Sequence, residues 1–268
     1  MTSSTTQKER FYRSIKVLLF YVLSILIFAT IAGITKTLMY PNHISILVST
    51  FLTFVLVIIF TKWDKLRFQE VGITFERYSL PRFFSGFGIG FLMVLLQAVI
   101  VSNFAQVKFC LSANFSPVSI VSSLLLYFLI ACREELVFRS YALRNLAYIM
   151  KPLIALIIIT IIFILEHVIA GVSWKMSILG SGFGGVLFGL SALKTKGLAL
   201  PLGLHFAWNF TQWLLGFKDK TGVWQEVVEK GNDQYAENVA LIGFIVAMSI
   251  SICGILIYYR RQTNNGSH

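Results

Sequence analysis

Along the chain, long apolar runs alternate with short polar stretches. A run of about 20 apolar residues is what a helix needs to cross a hydrocarbon core, and the two-residue alternation of a barrel strand is absent. The pattern predicts eight transmembrane helices, at 17–37, 44–61, 83–102, 117–134, 152–170, 177–193, 198–217 and 238–259. The fold class expected is all-α: a polytopic membrane protein forming one helical bundle. No small-residue cleavage site follows the first run, so it reads as an anchor and not as a signal peptide.

The same pattern divides the chain into a basic arm (1–16), three helices with a surface segment (17–116), four further helices (117–217), a polar loop (218–237) and a last helix with a polar tail (238–268). Between the second and third helices, Lys62 to Arg82 mixes apolar and basic residues, as either a segment lying on the membrane surface or an ordinary loop would. The sixth helix carries Gly180 and Gly184, Gly185 and Gly189, each pair four apart, with Gly182 between. Such spacing lets a neighbouring backbone approach closely, and a bare stripe also offers room for an extended substrate.

Composition agrees with a lipid environment: 56% of the 268 residues are hydrophobic, 13% are charged and the mean hydropathy is +0.76. The formal charge of +11 raises a nucleic-acid partner, but the basic residues are dispersed over short loops with no basic domain or helical stripe. Their distribution instead sets topology. Lys8, Arg10, Arg13, Lys16, Lys62, Lys65, Arg67, Arg77, Arg82, Arg133, Arg139, Arg144, Lys151, Lys194, Lys196, Arg260 and Arg261 fall on one side, leaving six lysines on the other. The positive-inside rule puts that side, with both termini, in the cytoplasm of a plasma (inner) membrane. The bilayer, with its anionic lipids, is the expected partner of these residues, and no nucleic acid is expected. Cys110, Cys132 and Cys253 are too few and too scattered for a disulfide framework or a cysteine metal site.

Chemistry is concentrated in the middle helices. Of the acidic residues only Glu134, Glu135 and Glu166 fall within spans, as do the histidines His167 and His205. An ionisable group at membrane depth costs at least a few kcal/mol, which makes it a functional candidate. If the fourth helix continues to the Lys151-Pro152 turn, Glu134 and His167 each lie about 16 residues, or ~24 Å, from the tip of an antiparallel hairpin and share a level. His205 matches that level if the hairpin protrudes into the cytoplasm, where Arg139, Arg144 and Lys151 would be at home. Glu134 and Glu135 diverge by about 100° on a helix, so Glu134 is assigned to chemistry and Glu135, with its i,i+4 partner Arg139, to support. His205 and Asn209 share a face, as do Phe163 and His167. Glu166 points about 100° away from His167 and receives no role. Interhelical hydrogen bonding alone would account for one such residue; a carboxylate, two imidazoles and a carboxamide on one level point to a site.

The sequence Glu134-Glu135-x-x-x-Arg139, then Phe163-x-x-x-His167, then His205-x-x-x-Asn209 resembles the CAAX protease and bacteriocin-processing family of intramembrane proteases, which includes the Ras converting enzyme type. The resemblance runs from about Val118 to Thr211, with all three motifs in order. It implies an endopeptidase, often classed in bacteria as a metalloprotease, acting on a membrane-associated peptide or protein. By it, Glu134 is the essential acid/base, His167 helps hold and activate water, and His205 and Asn209 stabilise the oxyanion. On a metal reading, Glu134, His167 and His205 hold a divalent ion such as zinc, although no His-Glu-x-x-His motif is present. Peptide hydrolysis independently needs a base for water and donors for an oxyanion, so both routes stay open. Two further readings stand beside it: a non-proteolytic regulator or scaffold that binds a sensor kinase or transporter, and a proton-coupled transporter, which would call for ionisable groups in other spans. Neither substrate nor oligomeric state is encoded. In a bacterial membrane, signal-peptide remnants, peptide pheromones and bacteriocin leaders are better candidates than a prenylated protein.

Overall fold

The computed structural model describes residues 6–73, 75–113, 116–218 and 221–265, the last five by backbone alone. Residues 1–5 of the expected arm, Asp219 and Lys220 of the expected polar loop, and residues 266–268 of the tail lie outside the described residues. The chain forms α1 (Gln7–Thr35), α2 (Pro41–Trp63), a 3-10 turn (Phe68–Val71), α3 (Ser79–Phe104), β1 (Lys108–Leu111), α4 (Pro117–Glu134), a π-helical segment (Glu135–Ala142) and α5 (Leu143–Ile149). After these come α6 (Pro152–Ile169), α7 (Trp174–Met176) running through a second π segment (Ser177–Ser181) into α8 (Gly182–Thr195), α9 (Ala199–Leu214), β2 (Trp224–Val227) and α10 (Asp233–Asn265). Each of the eight expected helices has a counterpart, and six are long and apolar enough to cross a membrane. The protein is an all-α integral membrane protein. The two helices below that mark are α4, which ends in Arg133 and Glu134, and α9, which carries His205 and Asn209.

Local chemistry explains several boundaries. Pro117 and Pro152 open α4 and α6 at positions where a missing N–H costs nothing. Ser116 caps α4, its hydroxyl accepting from the Ser119 amide at 3.2 Å. The loop 64–78 is anchored, not merely laid on lipid: Val71 is fully buried, and the Gly72 carbonyl accepts from the Leu198 amide at 3.1 Å. A feature absent from the expectation is the antiparallel pairing of β1 with β2, which joins the 105–116 and 215–232 loops on one face of the bundle.

Two expectations need correction. The fourth helix does not continue regularly to Lys151: its turns widen after Glu134, and Ser140 leaves helical geometry at φ −86°, ψ −114°. Nor do Arg133 and Arg139 belong to a cytoplasmic loop. They are 3% and 0% exposed, because each has a carboxylate partner inside the bundle, Glu166 at 3.3 Å and Glu135 at 3.4 Å. Arg144 is also drawn inward, donating to the Ala192 carbonyl at 2.7 Å and packing on Gly72.

Glycine places the helices that matter. A Cβ on Gly86 or Gly203 would overlap the Leu200 or Phe83 carbonyl oxygen, and one on Gly90 would lie 2.6 Å from the Leu204 oxygen. Thus α3 and α9 meet backbone to backbone. On α8, Gly185 and Gly189 face Thr160 and Leu156 of α6, whereas on the π segment before it a Cβ on Gly180 would meet nothing within 4 Å.

Candidate active site

Glu134 is the last residue of α4, and the π-helical turn follows it directly. A π turn is wider than an α turn, and such turns recur where side chains must be re-aimed. Here both consecutive carboxylates reach one imidazole: Glu135 Oε1 lies 2.9 Å from His205 Nδ1, and Glu134 Oε2 lies 3.6 Å from His205 Nε2. The strict divergence expected of an ideal helix is therefore relaxed. Glu135 meets the back of the ring and Glu134 its front. Because a carboxylate can only accept, His205 Nδ1 carries the proton, and Nε2 is turned toward Glu134.

The surroundings of His205 are rigid. Phe188 of α8 stacks on the ring at 4.5 Å and 12°. Behind it, Arg139 lies within 4.6 Å of the Phe163 ring centroid and 5.5 Å of those of Phe138 and Phe188. A buried guanidinium held by one carboxylate and three aromatic faces fixes Glu135, and through it the imidazole. Removing either member would leave a charge stranded in a dry core.

His167 sits one residue pair from the end of α6, with Nδ1 donating to the Phe163 carbonyl at 2.9 Å. That bond leaves Nε2 as the acceptor. The Phe163 ring, 4.5 Å away and edge-on, braces the imidazole, so the two residues spaced four apart do share a face. Asn209 lies one turn beyond His205 on α9. Its Oδ1 accepts from Lys218 Nζ at 3.4 Å, which leaves the amide N–H groups as donors.

Glu134, Phe163, His167, Phe188, His205 and Asn209 line one cavity of about 1120 Å³, together with Gly180, Gly184, Gln97 and Gln212. Glu135 and Arg139 stand behind this wall. Glu166 faces elsewhere: its oxygens accept from Arg133 Nη1 at 3.3 Å and from the Tyr21 hydroxyl at 3.1 Å, and Arg133 rests on the Phe28 ring at 4.1 Å. Arg133 and Glu166 are the chain neighbours of Glu134 and His167, so this pair ties α4 to α6 at the level of the site, with α1 added through Tyr21. Sequence reading missed Arg133, Phe188 and Lys218. Arg133 carried a usable signal, an arginine at membrane depth beside two glutamates; Phe188 and Lys218 carried none.

Among the described residues, no three His, Cys, Asp or Glu side chains are grouped closely enough to hold a metal ion. No curated protein matches the chain. Residues 116–211 match the family model described as type II CAAX prenyl endopeptidase Rce1-like, a stretch that begins at the α4 cap and ends two residues past Asn209. All three motifs lie inside that stretch, about a third of the chain, and it is this stretch that is similar to the CAAX-type endopeptidases.

Proposed function

We propose that Glu134 activates a water molecule for attack on a peptide bond of a membrane-associated protein or peptide, without a metal ion. The observation that carries this reading is the single cavity wall on which a carboxylate, two imidazoles each anchored through Nδ1 and a carboxamide donor stand together. Water is held between the Glu134 carboxylate and the acceptor Nε2 of His167. Glu134 takes one proton as the water oxygen bonds to the scissile carbonyl carbon, and the carbonyl electron pair moves to oxygen. The oxyanion receives hydrogen bonds from Asn209 Nδ2–H and from Nε2–H of a protonated His205, whose ring is held in place by Glu135 at Nδ1. Glu134 then returns its proton to the amide nitrogen, the oxyanion pair re-forms the C=O bond as the C–N bond breaks, and a carboxylic acid and an amine leave. Burial strengthens each of these interactions.

The expected divalent ion has no three-ligand set to receive it among the described residues, so no step is routed through one. Glu134→Gln keeps the shape and removes the base. In detergent or liposomes it is expected to abolish cleavage of a peptide library, with thermal stability near that of the wild type. Wild-type cleavage is expected to survive chelators, with no stoichiometric metal in the preparation. Full activity in Glu134→Gln refutes the base, and chelator-sensitive, metal-restored activity refutes the metal-free route.

A further inference from the structure

The helices alternate direction, so every loop can be assigned to one of two faces. The 36–40, 105–116, 170–173 and 215–232 connections share the face of the β ribbon, while 64–78, 150–151 and 196–198 share the opposite face with both ends of the chain. Glu134 closes α4 at the end away from the ribbon, and the groups that face it come from helices that end nearer the ribbon. His167 is two residues from the ribbon-side end of α6, and Asn209 lies five residues, about 7.5 Å, from the ribbon-side end of α9. Near the end of α9 Gln212 donates to Gln97, which donates to the Ala240 carbonyl, and from there α3 and α10 each run seven residues further toward the ribbon; the cavity takes in Gln97, Gln212 and Ala240.

Its outer lining agrees. Beyond the catalytic groups the cavity is walled by Val172, Met176, Lys218, Glu226, Asp233 and Glu237, all from the ribbon-side loops and helix ends. No residue of the 64–78 or 196–198 connections lines it. In that direction Phe138, Arg139, Phe163, Phe188 and Leu204 form a layer no more than 3% exposed, directly beneath the site. Among the described residues the cavity therefore offers a peptide a route to Glu134 from the ribbon face.

Charge says which side of the membrane that is. With Arg133 and Arg139 withdrawn into the bundle, fifteen Lys and Arg residues still fall on the face opposite the ribbon, against six on the ribbon side. The bias survives the correction, and it orients the ribbon face outward.

We infer that the catalytic cavity opens to the outer face of the membrane, and that the substrate is an extended peptide segment displayed on that face, such as the stub of an exported or membrane-anchored chain. This rests on the proteolytic reading for its chemistry but not for its geometry. Protein termini that stay in the cytoplasm are outside its reach.

Native Cys110 lies exposed on β1 and reports the ribbon face. In a Cys110→Ser background, Gly180→Cys reports the cavity and Phe75→Cys, 97% exposed, the opposite loop. A charged, membrane-impermeant maleimide applied to intact cells is expected to label Cys110 and Gly180→Cys, and to label Phe75→Cys only after permeabilisation. Labelling of Gly180→Cys from the cytoplasmic side alone overturns the inference. Glu134-dependent cleavage of a peptide library in detergent is measured on the wild-type protein beside Glu134→Gln. If that cleavage is absent while the labelling is as expected, the proteolytic reading fails and the opening stands. If cleavage is present and the labelling is reversed, the opening fails alone.

Discussion

Asn209 has two chemically different ends, and which of them meets the substrate is decided outside its own helix. Lys218 Nζ occupies Oδ1 at 3.4 Å, so the donor end is presented to the cavity. Asn209→Ala is expected to lower kcat by roughly 100-fold with little change in KM, because the lost donor is strengthened only in the transition state. Lys218→Met should lower kcat by about tenfold in the same KM-sparing way, since the amide is then free to turn. Steady-state kinetics on both variants test this, and a KM effect without a kcat effect would remove them from the chemistry. Glu134, His167, His205 and Asn209 were legible in the sequence because i,i+4 spacing and helix depth are local quantities. Phe188 and Lys218 were not, because what they do depends on a contact between segments that no spacing records.

Helices meet through two devices whose consequences differ. On α9, a Cβ at Gly203 would run into the Phe83 backbone, which cannot yield, whereas on the π segment before α8 a Cβ at Gly180 points into open space. Gly203→Ala is expected to destabilise by about 1–3 kcal/mol and to lower yield of folded protein. Gly180→Ala should leave thermal stability unchanged and raise KM by narrowing the cavity. Thermal denaturation in detergent beside kinetics separates them; equal stability losses would contradict the two faces assigned to these glycines. The second device is the Arg133–Glu166 pair. Glu166→Gln leaves a buried guanidinium without its counter-charge and is expected to cost about 3 kcal/mol, while Arg133→Met with Glu166→Leu should cost less than either single change. A double change as costly as the sum of the singles would show that the two residues do not act as a pair. The extents of these helices were readable from hydrophobic run length. The π turn after Glu134 was not: nothing local in the Leu136-Val137-Phe138 stretch opposes a regular helix, and the widened turn is explained by the tertiary demand that two neighbouring carboxylates reach one imidazole.

At the level of the whole molecule, two of the four buried clusters among the described residues carry the helices on either side of the site, and a third packs α4 on α9. The first surrounds Phe20, Phe60, Phe138, Tyr141 and Phe163 and holds α1, α2, the π segment, α5 and α6. The second surrounds Met93, Leu187, Leu204, Trp208, Phe244 and Met248 and holds α3, α8, α9 and α10. Glu135 and His167 belong to elements of the first, His205 and Asn209 to the second, so the catalytic geometry is a relation between the two groups. What sets their separation is the contact of α6 with α8, where a side chain on Gly189 would overlap the end of Leu156. An alanine there needs only a shift of that flexible end. A leucine needs the helices to part, which lengthens the 2.9 Å contact between His205 and Glu135. Gly189→Leu is therefore expected to insert normally, keep its helix content by circular dichroism and lose at least tenfold in kcat. Adding Leu156→Ala vacates the space the new side chain needs and should restore most of that activity, a non-additivity that independent sites do not produce. If Leu156→Ala fails to rescue Gly189→Leu while being well tolerated by itself, the α6–α8 contact does not set the distance between the two halves of the site.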